Sequence, residues 1–435
     1  MEEPARRASL RAVFGIVALD LIGFGILIPQ LGVYGVKFGA SAFTAGLLVS
    51  VYSLMQLLFA PVLGRLSDRY GRRPVLLVSL AGSLAGYVLF AFAHSLPLLF
   101  LARIIDGVSG GNIATAQAYV ADVTRPEERA KGMGLIGAAF GLGFVLGPAL
   151  GGFLGAWGGN LAIGLFAAGL AGLNLLVTYL FLPESLQQGR SPGAPVRSVR
   201  GALGALRLPV VGRCLALILL FTTAFAQMEG TFSVFLLSRF LSSGPVPLEG
   251  GLFFLGASAS PEALAQASLR TGWLFALVGV LSAVLQGGLL RRLLPDRHPA
   301  PGTGSRTGRE AVLVGVGFAV TALGLAVLPL APTYGWLFPA MGLLAVGSAF
   351  THPSLSAVVS LHAPAERQGA VLGTYQAFSS LGRILGPALG GWFFTRFGPA
   401  MPYGTAAGML GVGAALALGL VSRMRMADAG ARQSP

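Results

Sequence analysis

Twelve runs of predominantly apolar residues follow one another along this chain of 435 residues, each close to the ~20 residues that cross a bilayer as a helix. No water-soluble core hides so many such runs, so the pattern predicts a polytopic helical membrane protein. Composition agrees: 54% of the residues are hydrophobic and 11% are charged, against roughly 25% charged in a soluble domain. The expected spans are 10–36, 42–64, 74–93, 96–121, 132–157 and 160–182, then 210–241, 269–290, 311–330, 334–361, 369–394 and 401–424. The fold class expected is all-α, with a first six-helix bundle at 1–182 and a second at 210–435. The intervening 183–209 is rich in Gly, Pro and Arg, buries no apolar surface and reads as a cytoplasmic linker. The stretch 242–268, apolar at Leu252 to Leu255, is a candidate for a short interfacial helix.

The net charge of +14 raises the possibility of a nucleic-acid partner, but the positions of the charges exclude that reading. All but six of the 30 Lys and Arg fall at the termini, in the even-numbered connections between spans or, as with Arg11, Arg213 and Arg423, within four residues of a span's end on that side. Lys37, Arg239, Arg270 and Arg396 lie on the other side, and Arg103 and Arg383 lie inside spans. By the positive-inside rule both termini are expected in the cytoplasm, with the spans in the cytoplasmic membrane. Cys214 is the single cysteine, so no intramolecular disulfide, no cysteine metal site and no cofactor is expected. Arg6, Arg7 and Arg11 precede an apolar run that is long and contains Asp20, so it reads as a retained first span and not as a signal peptide.

An internal repeat gives the architecture. The seven residues Leu146 to Gly152 (LGPALGG) recur letter for letter at Leu385 to Gly391, and a Glu-Arg pair precedes each copy, at Glu128-Arg129 and Glu366-Arg367. The fifth and eleventh spans are therefore corresponding elements of two homologous halves. Small residues at this spacing let membrane helices approach closely.

Gly64 to Pro74 packs five charges into eleven residues between two apolar runs, so it must lie in water. Ser67 and Asp68 break the apolar pattern, Gly71 permits a turn with positive φ, and Pro74 suits the first turn of a helix, which predicts a tight hairpin loop. Five charges stand well inside spans, where a charge near mid-bilayer costs about 2.5–3.5 kcal/mol and is by default functional: Asp20, Arg103, Asp106, Glu229 and Arg383. Asp20 stands about ten residues into its span, roughly 15 Å at 1.5 Å per residue, near the midplane. Arg103 and Asp106 share a helix face at i, i+3 and are placed to neutralise each other. Three acids against two bases leave one acid over, and a carboxyl group without a fixed base in low dielectric is suited to carry a proton. Glu229 has no basic neighbour in sequence and is the leading candidate, with Asp20 opposite it in the corresponding first span of the other half. Asn112, Gln117, Gln227, His352, Gln376 and Arg383 are polar groups placed to line a substrate cavity, with interhelical hydrogen bonding the alternative for each amide.

With these residues in hand, the chain resembles the twelve-helix drug:proton antiporters of the major facilitator superfamily, nearest the branch of tetracycline exporters. Gly64-x-x-x-Asp68-Arg69-x-Gly71-Arg72-Arg73 matches the signature loop between helices 2 and 3, Arg103 followed by Gly107 the helix 4 signature linked to proton transfer, and Gly143-x-x-x-Gly147-Pro148-x-x-Gly151-Gly152 the antiporter signature of helix 5. The resemblance implies a substrate site near the midplane between the halves. It also implies a conformational latch of Asp68 and Arg72 with Asp122 and the end of helix 11. Two departures stand out. Gly86, beside Tyr87, occupies the position of the acidic residue in helix 3 of tetracycline exporters, and 311–330 holds no acid, so a metal–tetracycline complex is not the expected substrate. The expected function is export of a small amphipathic organic compound in exchange for protons, by a monomer in the lipid bilayer, with no covalent chemistry. The alternative on the same fold is a symporter or uniporter of a sugar or other metabolite, or a lipid transporter.

Overall fold

The computed structural model describes residues 3–124, 129–185, 206–241, 246–248, 252–254, 259–289, 305–363 and 368–432. Among the described residues twelve α-helices carry the fold: α1 (Glu3–Lys37), α2 (Ala42–Tyr70), α3 (Arg72–Ala91), α4 (Leu96–Ser109), α5 (Asn112–Val123), α6 (Arg129–Phe181), α7 (Pro209–Phe240), α8 (Pro261–Val284), α9 (Ser305–Val327), α10 (Leu337–His362), α11 (Gln368–Phe397) and α12 (Met401–Arg432). Ten spans among the described residues are long and apolar enough to cross a membrane, α4 and α5 together making one of them. The span at Gly141–Phe181 is 41 residues, about 60 Å of helix and twice the ~30 Å hydrocarbon core, and Gly159 breaks it at φ 65, ψ −153. Gly159 divides it into two, and the 30-residue α11 is long enough to span but is not among the ten, so the twelve expected spans are not all accounted for. Phe153, Trp157, Phe181, Val284, Leu330 and Leu418 are at least 60% exposed, an arrangement suited to lipid and costly in water.

Three expectations are corrected. The hairpin loop at 64–74 shrinks to Gly71 alone: α2 runs on to Tyr70 and α3 begins at Arg72. Ser67 does not end the helix because its hydroxyl bonds back to the Gly64 carbonyl at 2.8 Å, and only Gly71, at φ 106, reverses the chain. The fourth span is not continuous but breaks at Gly110 and Gly111, where a Cβ on Gly111 would meet Leu63 Cδ1 at 2.5 Å. In place of the candidate interfacial helix at 242–268, the described residues form two short strands, β1 (Val246–Leu248) and β2 (Leu252–Phe254), paired antiparallel with Val246 opposite Phe254, and from Pro261 the first turns of α8, eight residues before the expected span.

The chain groups into two compact units. Unit 1 holds 1–195, 229–279 and 387–399; unit 2 holds 196–228, 280–386 and 400–435. In unit 1 the glycines of α6 form a seam. Gly143 abuts Leu21 of α1 and Gly147 abuts Gly25, so close that a Cβ would meet main-chain carbon at 2.7 Å and 2.6 Å, while Gly152 meets Gly272 of α8 at 2.7 Å. The second copy of the repeat makes corresponding contacts. In unit 2, Gly382 and Gly386 of α11 abut Thr222 to Ala226 of α7; in unit 1, Gly391 abuts Ala42 and Phe43 of α2. Each copy thus packs against the first helix of its own half and the second helix of the other, which is why the letters repeat.

Candidate proton-coupling and transport site

In unit 1 a polar cluster lies where α1, α2, α4 and α5 converge. Arg103 Nη1 donates to Asp106 Oδ2 at 2.8 Å, with side chains 1% and 4% exposed. The guanidinium lies over the Tyr52 ring, 4.3 Å from its centroid, and Tyr52 packs on Phe24 at 4.9 Å. Gly107 permits this arrangement, since a Cβ there would meet the Tyr52 carbonyl oxygen at 2.7 Å. The Arg-x-x-x-Gly spacing therefore has a steric basis: the glycine brings α2 close enough to cover the arginine. Asn112 stands at the first position of α5 because the chain breaks at Gly110 and Gly111, and Gln56 Nε2 of α2 secures the break by donating to the Gly110 carbonyl at 2.8 Å. From there Asn112 Nδ2 donates to Asp20 Oδ1 at 2.6 Å. Asp106 and Asp20 thus have different partners, a guanidinium for the first and an amide for the second.

Asp20 and Glu229 are not counterparts, contrary to expectation. Gly143 faces Leu21 where Gly382 faces Thr222, and Gly147 faces Gly25 where Gly386 faces Ala226. That register matches Asp20 with Phe221, and Glu229 with Ile28, about two turns or ~12 Å further along the helix. Glu229 is half-buried and engages a partner, so its role as the leftover acid gains no support from isolation. Of the cavity candidates, Gln117, His352 and Gln376 are exposed although they lie inside spans, and Arg383 is half-buried with Nη2 donating to Ser380 Oγ at 3.2 Å. Asn112 is engaged by Asp20. Gln227 is fully buried, its Oε1 accepting from Thr405 Oγ1 of α12 at 3.1 Å, which is interhelical bonding and not cavity lining.

The signature residues at the α2–α3 turn gather on Arg72. Its Nη1 pairs with Asp68 and donates to Ser67 Oγ at 2.7 Å, and its Nε donates to Asp122 Oδ2 at 3.0 Å. Arg73 turns away, donating from Nη2 to the Tyr179 carbonyl at 2.6 Å, and Arg69 stacks over Tyr70. A Cβ on Gly64 would meet nothing within 4 Å, so this arrangement gives no steric reason for that glycine. Glu366 and Arg367, the expected contribution from helix 11, lie outside the described residues.

The model of the Major Facilitator Superfamily matches residues 13–305 and 299–434. The chain belongs to the major facilitator superfamily. Among its relatives in that superfamily, the class C tetracycline resistance protein of Escherichia coli is 36% identical over 390 residues, 88% of either chain. Its fold is similar to the crystal structure of the human organic anion transporter MFSD10 (TETRAN), with a TM-score of 0.67 and 26% identity over 96% of this chain and 100% of that one. A bacterial homolog of the human lysosomal transporter Spinster shares the fold alone, with a TM-score of 0.72 and 16% identity over 98% and 99%.

One residue of this facilitator-superfamily turn escapes sequence reasoning. Gly71 offers α3 no side-chain cap, and Glu184 supplies one from 112 residues away: Oε1 accepts the Arg72 N–H at 2.9 Å and Oε2 the Arg73 N–H at 3.0 Å. Its oxygen also occupies the space a Cβ on Gly71 would need. The one signal in the sequence is a lone acid, in Pro183-Glu184-Ser185, directly after the sixth span. Glu184→Ala is expected to destabilise the protein by about 0.5–2 kcal/mol, the usual worth of a helix N-cap. Labelling of the single buried Cys214 by a thiol-reactive dye during heating reads this directly, and unchanged unfolding would remove the capping role.

Proposed function

We propose that the chain is a proton-coupled antiporter of the cytoplasmic membrane that exports a small amphipathic organic compound by alternating access, with both termini cytoplasmic and the bundles 1–182 and 210–435 as the moving bodies. The observation that carries this reading is a pair of acids inside spans with unequal partners, Asp106 buried and Asp20 half-buried. Asp106 is tied to Arg103 within one helix, so its charge is matched wherever α4 goes. Asp20 is held by Asn112, whose amide donates to the ionised carboxylate and, turned over, accepts from the protonated one. A group that keeps its place in both protonation states is suited to pick up and release a proton. One proton crossing ~100 mV releases about 2.3 kcal/mol, which at about 1.4 kcal/mol per decade supports roughly a fifty-fold gradient of a neutral substrate.

The relatives named for tetracycline resistance support efflux as the direction. Gly86 speaks against the same drug, because a Cβ there would already lie 3.0 Å from Asp106 Cβ, leaving no space for an acidic side chain. Proton flux in proteoliposomes on adding a compound from a cationic, neutral and anionic panel separates the readings. Protons moving opposite to the substrate support antiport, protons moving with it establish symport, and substrate movement without protons establishes a uniporter.

In this reading Arg72, with Asp68 and Asp122, is the latch that biases two nearly balanced conformations. Asp68 is 48% exposed, so its pair with Arg72 is screened and worth about 0–1 kcal/mol, little for stability but enough to tilt such a balance. Asp68→Asn is expected to abolish transport while substrate affinity stays within about tenfold, because Asp68 is 48% exposed and lies at the far end of α2 from Tyr52 and the Arg103–Asp106 pair. Loss of affinity by several decades, with conformational exchange intact, would remove the latch role.

A further inference from the structure

Corresponding positions of the two halves carry different chemistry. The register of the glycine seams matches Asp20 of α1 with Phe221 of α7. The 239 residues from Leu146 to Leu385 place the counterpart of Asn112 one residue from His352. In unit 1 this pair is an acid bonded to an amide. In unit 2 it is ring against ring: Phe221 and His352 meet edge to face, centroids 5.1 Å apart at 87°. Phe225 stacks on Phe221 at 6.1 Å, and Phe318 of α9 backs it at 5.4 Å.

This aromatic group is open on one side. Phe221 and Phe318 are fully buried, Phe225 is half-buried and His352 is exposed, the only exposed residue of α10 between Ala340 and Ser360. Lipid does not explain that exposure, because Ser348, His352 and Ser356 recur at i, i+4 and make a polar stripe, whereas a lipid-facing stripe is apolar. Among the described residues neither ring nitrogen of His352 has a hydrogen-bond partner. Arg383 lies near enough to act on the imidazole, and the carboxylates on the helices of this group are Glu229, one turn beyond Phe225 on α7, and Glu310, at the start of α9 and two turns from Phe318.

We propose that Phe225, Phe221 and His352 form the substrate subsite of unit 2, built for an aromatic ring that bears an anionic group. The ring packs against Phe225 and the imidazole, and the anion accepts the His352 N–H in the field of Arg383. The two halves then divide the work, with the proton on Asp20 in unit 1 and the substrate ring in unit 2. This rests on the transport reading above and names its substrate class.

The test is equilibrium binding of 2-naphthoate to the purified full-length protein in nanodiscs, followed by naphthoate fluorescence, beside cyclohexanecarboxylate and 2-naphthylmethylammonium as competitors. Naphthoate is expected to bind at least about tenfold more tightly than either, because only it offers both the ring and the accepting charge. Phe225→Leu and His352→Leu are each expected to weaken naphthoate about tenfold, while His352→Gln, which keeps a donor, stays within a few-fold. Equal binding of the ammonium compound, no naphthoate binding to the wild type, or unchanged affinity in both leucine variants at wild-type melting temperature would overturn the proposal. The two readings fail separately: naphthoate that binds the subsite but moves no protons sinks the antiport reading alone, and proton exchange driven by 2-naphthylmethylammonium without naphthoate binding sinks the subsite alone.

Discussion

Gly147→Val is expected to remove most of the folded protein, whereas Gly64→Ala is expected to leave it near wild type. A Cβ on Gly147 would lie 2.6 Å from the carbonyl carbon of Gly25, 2.7 Å from its Cα and 2.9 Å from the Ile26 nitrogen. These are main-chain atoms of a neighbouring helix and cannot rotate away, so α1 and α6 must part. Overpacking of this kind costs about 1–3 kcal/mol and more when backbone must move, a large share of the ~5–15 kcal/mol that holds a protein folded. The displacement also reaches the site, because Asp20 is little more than one turn from Gly25 on the same helix. Gly386→Val is expected to act in the same way, since its Cβ would meet the Thr223 carbonyl oxygen at 2.5 Å. Gly64 has no atom within 4 Å of a Cβ, so its alanine variant serves as the control. Melting curves and yields from solubilised membranes measure the difference; a Gly147→Val protein that melts with the wild type would show that the seam is looser than these distances require.

The second large effect separates Asp106 from Asp20. Asp106→Asn strands Arg103, a guanidinium 1% exposed with its single salt bridge removed, and breaking a buried pair from one side costs about 3–5 kcal/mol. Tyr52 over the guanidinium recovers only part of that. The variant is therefore expected to fold poorly. Arg103→Met together with Asp106→Leu, which removes both charges, is expected to recover stability but not transport. Asp20→Asn is expected to fold normally: the side chain keeps its shape, an oxygen still accepts from Asn112, and no buried cation is left without its acid. Similar melting temperatures for Asp20→Asn and Asp106→Asn would refute this division.

Part of this was legible in the sequence because the bilayer makes it so. The apolar runs follow from span length, and the letter-for-letter repeat marks the glycine seams; the linker expected at 183–209 lies mostly outside the described residues. The pairing of Arg103 with Asp106 was legible from i, i+3 spacing alone. What escaped depends on contacts between distant residues. Glu184 caps α3 from 112 residues away, and no local pattern announces that. The level of Glu229 against Asp20 depends on the register of α7 against α11, and α7 shares no repeated letters with α1 that would fix it. The break at Gly110 and Gly111 did have a signal in Ser109-Gly110-Gly111-Asn112, which the apolar runs on either side outweighed. Gln227 looked like a cavity residue by type and proved to bond α12, since a buried amide in a membrane helix takes whatever partner lies nearest.

The central claim is that Asp20 carries the proton, and it is tested most directly by two assays on the same proteoliposomes, comparing wild type with Asp20→Asn at matched protein levels. One follows substrate exchange at equal pH on both sides; the other follows uphill substrate movement driven by a pH gradient. The account predicts that Asp20→Asn retains exchange, because both glycine seams are intact, and loses gradient-driven uptake together with substrate-induced proton movement. An Asp20→Asn variant that still moves protons at the wild-type ratio would contradict it and place the proton on another acid, Asp106 first.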